Sequence, residues 1–216
     1  MSARDSALFE QPLNFVHQID EGKHIVLFYE ELEYAKMLSF QFIKTGLALK
    51  KDCSYLSEED EEAVKREMTD AGLGVNKYIQ AQQLHIYQVP SLTDYHHKPD
   101  YSHIEGKDKA SQQPIDMILN DSPRIRQSDR IVLRCVYKIT GEQQIKSNLR
   151  WEYGFRCKNL KNIGTTLVSS YPINDIISTI SDSTGSYGKW MSTLLELYDG
   201  VIFARKFWKG VAFNLA

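Results

Sequence analysis

The amino-acid sequence predicts an α/β fold with a mostly parallel central sheet and helices on both faces. Three observations predict it. Continuous runs of apolar and β-branched residues, without alternation, mark strands covered on both sides. Between them lie stretches with apolar residues at three- and four-residue spacing, the helical period. The two kinds of segment alternate, which gives βαβ units, right-handed crossovers and parallel pairing.

Residues 1–20 read as a polar lead-in with a short helix around Leu13–Ile19, and residues 21–216 as a single domain. His24-Ile-Val-Leu-Phe-Tyr29 is the first strand. Glu31 to Leu49 follows as a helix, with Tyr34, Met37, Leu38, Phe42, Ile43 and Leu47 on its apolar stripe. Cys53-Ser-Tyr-Leu56 is the second strand. Ser57 is expected to cap an acidic helix that ends near Asp70, with Gly72 as its C-cap; Glu58, Glu59, Asp60, Glu61 and Glu62 complement its dipole. Leu84-His-Ile-Tyr-Gln-Val89 is the third strand.

Residues 90–130 differ. They carry Pro90, Pro99, Pro114 and Pro123 and cluster His96, His97 and His103, and read as a long connection with one short helix near Ile115–Asn120. Ile131 to Val136 is the fourth strand. A helix from Glu142 to about Asn159 carries Ile145, Leu149 and Tyr153. Gly164 to Ser170 is the fifth strand, stopped by Pro172. Asn174 or Asp175 caps a short helix, and Tyr187–Leu197 forms another. Val201–Ala204 and Gly210–Phe213 close the chain as two strands around a basic turn.

Composition narrows the function. Lys and Arg total 26 against 28 Asp and Glu, a balance that argues against a nucleic-acid partner. The N-terminus lacks the apolar core of a signal peptide, and no apolar run approaches the roughly 18 residues of a membrane span. Cys53, Cys135 and Cys157 form no CxxC pair, so a zinc ribbon or redox motif is not expected. Free thiols without an export signal point to the cytoplasm.

Residues 22–89 resemble the KaiC family of RecA-fold ATPases. The residues that carry the likeness are a glycine before the buried first strand, Gln41-Phe-Ile-x-x-Gly46-Leu47 at the end of the helix, Cys53-x-Tyr55-Leu56-Ser57 with its acidic helix start, Ala71-Gly72 and Leu84-His-Ile86. Asp199-Gly-Val-Ile202 looks like that family's ending. The resemblance implies a RecA/KaiC-like three-layer fold. It breaks on the chemistry. A phosphate-binding loop needs glycines whose backbone N–H groups wrap the phosphates, a lysine for the β/γ oxygens and a hydroxyl for magnesium. Here the stretch is Tyr29-Glu-Glu-Leu-Glu-Tyr-Ala-Lys36, with no glycine and with Glu30, Glu31 and Glu33 where a polyphosphate would sit. Ungapped alignment puts Ala35 at the lysine position, beside Lys36. From Ile131 through Gly141 there is no Asp or Glu to hold magnesium.

That combination resembles the MEDS domain, a sensory relative of KaiC found in methanogens and methylotrophs. His24-Ile-Val-Leu-Phe-Tyr29-Glu30 and Cys53-Ser-Tyr55-Leu-Ser-Glu58 match its dichloromethane-regulator members. This resemblance implies a small organic ligand and a signal passed to a partner such as a transcription regulator or kinase.

Seven residues are candidates for the ligand site. Tyr29, Glu30 and Tyr34 follow the first strand, where open α/β sheets bind ligands, and could form an apolar pocket with one carboxylate anchor or a solvated helix start. His24 reads as a switch residue or as a strand-start histidine bonded to a carbonyl. Cys53 and Tyr55 belong to the second strand, Cys53 as a contact or a buried filler. Glu58 could reach the same crevice or cap a helix. His96, His97 and His103 match no established zinc spacing, so no metal or cofactor is expected. Arg205, Lys206, Trp208 and Lys209 read as a solvated hairpin tip. No local signature of a Ser-His-Asp or Cys-His triad is present, and no enzyme activity is expected.

Three functions follow as alternatives. The first is a sensory module with a small organic ligand in the vacated nucleotide crevice, able to form a homo-oligomer. The second is a degenerate nucleotide-binding protein. The third is an interaction subunit without a ligand, which a filled crevice would favour.

Overall fold

The computed structural model describes residues 11–18, 21–89, 130–155, 165–181, 191–193, 195–206 and 209–214. Its elements are α1 (Pro12–His17), β1 (His24–Tyr29), α2 (Leu32–Ala48), β2 (Asp52–Ser57), α3 (Glu61–Asp70), α4 (Val75–Gln80), β3 (Leu84–Gln88), β4 (Arg130–Cys135), α5 (Glu142–Phe155), β5 (Thr166–Pro172), α6 (Ile173–Ser181), β6 (Gly200–Lys206) and β7 (Lys209–Asn214). The strands form one sheet in the order β3-β2-β4-β5-β1-β6-β7. The first six strands run parallel, and β7 returns antiparallel to β6. The expected α/β class is what the chain adopts.

Strand pleating sends alternate residues to opposite faces. Ile25, Leu27 and Tyr29 face α1 to α4 and pack with Leu38, Ile43, Val64, Met68 and Val75. Val26 and Phe28 face the other way and pack with Ile145 of α5 and Ile176 of α6. The sheet is thus a middle layer, which explains why its strands read as unbroken apolar runs.

On the α2 side the approach is close. A Cβ on Gly46 would stand 2.5 Å from Ile131 Cδ1 and 2.9 Å from Cys53 Sγ, so only glycine lets the end of α2 lie on β2 and β4. On the α5 side the fourth strand buries a charge. Arg134 Nη1 donates to Glu152 Oε1 at 3.1 Å and to Tyr171 Oη at 2.9 Å. Its Nη2 donates to Asn148 Oδ1, Tyr171 Oη donates to Glu152, and the guanidinium lies 4.3 Å above the Trp151 ring.

Several local expectations need correction. Asp60, not Ser57, caps α3: its side chain accepts from the Ala63 N–H, while Ser57 is the last residue of β2. Gly72, at φ 82°, is the left-handed residue just past the helix, as a helix stop requires. Helix α4 was not anticipated; its six residues carry one fully buried side chain, Val75, too weak a periodic signal to read. Pro172 does not stop β5 but completes it, opposite Tyr29. A proline lacks only the N–H, and at a strand's last residue, with a helix starting at the next, that donor can be spared. Asp175 lies in the first turn of α6 and caps elsewhere, accepting the Ile139 N–H at 2.9 Å. Ile19, the helix near Ile115–Asn120, His96, His97, His103, Cys157, Tyr187 and Trp208 lie outside the described residues.

Candidate functional site

In a sheet of this kind the ligand crevice lies beyond the carboxyl ends of the strands. There β1 passes to α2 through Glu30 and Glu31 alone. Glu31 is the N-cap, in extended conformation and without a side-chain capping bond. The Glu30 N–H donates to Ala204 O at 3.0 Å, and its carboxylate accepts from Arg205 Nε at 2.8 Å. Two residues cannot wrap a polyphosphate, and the backbone donor of the first is already spent on β6.

Lys36, one helical turn inside α2, also turns away from any phosphate. Its Nζ donates to Glu59 at 2.8 Å and to Glu67 at 2.7 Å, and lies 5.2 Å from the centre of the Tyr137 ring. Burial disfavours its charge, but the two carboxylates outweigh that and raise its pKa.

Under Lys36 lies a cluster of hydroxyls. Tyr29 Oη donates to Val136 O at 2.7 Å. Tyr55 and Tyr137 share a hydrogen bond of 3.1 Å, Ser57 Oγ donates to Tyr137 Oη at 3.1 Å, and Ser57 Oγ accepts from the Glu59 N–H at 2.9 Å. Ser39 Oγ stands 3.8 Å from Cys135 Sγ. Burial raises the pKa of Tyr29, Tyr55 and Tyr137, with nearby Cys135 adding to each, so all three phenols stay neutral. Burial raises the Cys135 thiol too, against hydrogen bonds that lower it. The arrangement can give and take hydrogen bonds; it offers neither thiolate nor phenolate.

Of the seven candidates, Tyr29, Glu30, Tyr55 and Glu58 come together at this end. Tyr34 sits on α2 at 1% exposure, and burial raises its phenol pKa. His24 and Cys53 do not belong to the same crevice. They occupy the amino ends of β1 and β2, and His24 lies five strand steps from Tyr29, about 16 Å. His24 is buried and exchanges backbone contacts with Asp199, whose Oδ2 accepts the His24 N–H at 2.9 Å. Cys53 is buried beneath Gly46, its thiol pKa raised by burial, which makes it an inert core residue.

Sequence reasoning missed Ser39, Ser57, Glu59, Cys135 and above all Tyr137. The signal for Tyr137 was present: it directly follows the apolar run of the fourth strand, where the crevice rule points. A second cluster occupies the amino ends of three neighbouring strands. Buried Asp52 lies 3.2 Å from His85 Nε2 and 3.5 Å from Arg130 Nη2. The Asp52 carboxylate raises the His85 pKa, against burial. Outside the sheet, α2 and the end of α3 border a groove of about 390 Å³ floored by Met37, Phe40 and Leu73. Among the described residues no group of three His, Cys, Asp or Glu side chains could hold a metal ion, and no helix is long and apolar enough to cross a membrane.

Fold and site together define an α/β protein with a six-strand parallel sheet flanked by helices, consistent with a three-layer RecA-like fold. No protein-family model matches the chain, and no curated protein matches it.

Proposed function

We propose that the chain is a non-catalytic binding and signalling module of the kind its resemblance to the MEDS domain implies. It would keep a RecA-like frame and sense a small organic molecule rather than turn over nucleotide. The observation that carries this reading is the two-residue passage from β1 to α2, with Glu30 bound to Ala204 and Arg205 where a triphosphate loop would stand. Carboxylates repel phosphate, and the stretch Tyr29–Lys36 holds no glycine whose bare backbone could wrap it. Neutral phenols beside partly buried Tyr137 suit an uncharged organic molecule with one or two hydrogen-bonding atoms. The output would pass to a protein partner such as a transcription regulator or kinase.

A ligand of the native state must raise the melting temperature. Thermal melts across a panel of small organic molecules should give a saturable shift for a subset, abolished in Tyr137→Phe, and none for ATP with magnesium. A second reading, an interaction subunit without a small ligand, is favoured by the mutual hydrogen bonds of Tyr55, Tyr137 and Ser57, which fill the crevice from within. Under it no panel member shifts the melt. Micromolar binding of ATP with magnesium would overturn both.

A further inference from the structure

The groove beside α2 and the hydroxyl cluster of the crevice meet at two side chains. Phe40, on the groove floor at 6% exposure, packs its ring on that of Tyr55, with centroids 5.8 Å apart. Lys36, on the groove wall, sets its ammonium 5.2 Å from the centre of the Tyr137 ring. Tyr55 and Tyr137 are the pair that shares a 3.1 Å hydrogen bond within the cluster. Each phenol of that pair therefore has a groove residue against its ring. The groove's volume, about 390 Å³, lies within the range of small-molecule sites.

What the groove selects follows from its side chains. Its rim carries both signs, Glu33 and Glu67 against Lys36 and Lys44, so no net charge draws an anion or a cation. Its floor is apolar, and three lining side chains attract an aromatic ring beyond what they offer a saturated one. Phe40 presents a ring to stack on or to meet edge-on. The Met37 thioether favours the edge of a ring. Lys44, exposed and in no ion pair among the described residues, is free to lay its ammonium on a ring face. Tyr137 supplies the polar end. When Ser57 and Tyr55 both donate to its oxygen, its own O–H is left to donate to a ligand.

We propose that groove and hydroxyl cluster are two halves of one site for an uncharged aromatic molecule with a hydrogen-bond acceptor, its ring against Met37 and Phe40 and its acceptor on Tyr137. The inference rests on the sensory reading of the crevice and adds the class of ligand. Lys36 has the flexible stem at the join: its ammonium gives up the Tyr137 ring to the acceptor and keeps Glu67 on the groove wall.

Isothermal titration of the full chain with benzylacetone and its cyclohexyl counterpart tests it. The two ketones share head and chain and differ only in the ring. Burial alone favours the saturated ring, so a preference for phenyl isolates the aromatic contacts. Benzylacetone should bind about fivefold more tightly. Met37→Leu and Phe40→Leu should each cut that preference to about twofold, with Met37→Leu, the milder exchange, carrying the test if Phe40→Leu does not fold. Tyr137→Phe should weaken both ketones about equally and leave the preference intact. Equal affinity for the pair, or a phenyl preference that neither groove variant reduces, overturns the proposal; the sensory reading then stands if Tyr137→Phe still weakens binding. Binding of neither ketone also overturns it, and the sensory reading falls with it only if no small molecule of the wider panel shifts the melt.

Discussion

Against α2 the strands present Ile25, Leu27 and Leu133, an apolar surface on which nearness is set by Gly46. Against α5 the same sheet presents Val26, Phe28 and Val136, but also Arg134, tied to Asn148, Glu152 and Tyr171 and stacked on Trp151. The two faces are therefore specified by different physics. Apolar contact sets how closely α2 lies but has little directionality, so a missing atom does the positioning. Directed hydrogen bonds fix where α5 lies along its strand, at the cost of dehydrating a charge.

The largest break in this comparison comes from the charged face. Arg134→Met strands a buried carboxylate and should cost about 3–5 kcal/mol in urea unfolding, whereas Arg134→Met with Glu152→Leu should recover most of that loss. On the apolar face, Gly46→Ala should cost about 1–3 kcal/mol through overpacking, and Ile131→Val should partly relieve it, because Ile131 Cδ1 is the nearest atom. Lys36→Met leaves Glu59 and Glu67 without their cation and should cost about 1–2 kcal/mol, less than Arg134 because its side chain keeps 14% exposure.

The smallest effect sharpens the contrast at the sheet's amino end. The folded pKa of His85 is raised above its ordinary 6.5, so the stability it contributes beside Asp52 is fully present below about pH 6.5 and lost as pH rises through the raised value. His85→Gln should flatten that part of the pH–stability profile, measured by denaturant midpoints at several pH values.

The layered fold was legible because buried strands leave apolar and β-branched runs, clearest in His24–Tyr29, and the seven strand segments read from the sequence, from His24–Tyr29 to Gly210–Phe213, fall on the seven observed strands. That β1 passes to α2 without a glycine-rich phosphate loop was legible in Tyr29–Lys36, which holds no glycine. What could not be read was depth. Cys53 and Tyr55 stand two residues apart on one strand, on the same side, yet one lies beneath Gly46 and the other joins the hydroxyl cluster. His24 likewise looked close to Tyr29 in sequence, although the strand carries them to opposite rims of the sheet. Arg134 stands in a run that reads as covered on both sides, but how its charge is met could not be read, because its partners Asn148 and Glu152 come from a helix whose facing only packing decides.

The place of β1 in the sheet has a kinetic consequence. Its neighbours are β5 and β6, with His24 opposite Leu167 and Ile25 opposite Gly200. During synthesis this interior apolar strand therefore emerges long before the two strands that pair with it. Helices α3 and α4 with β2 and β3 can associate locally in the meantime, but β1 keeps both hydrogen-bonding edges bare. Such non-local pairing slows folding and leaves an apolar strand of the nascent chain exposed to aggregation until its partners arrive.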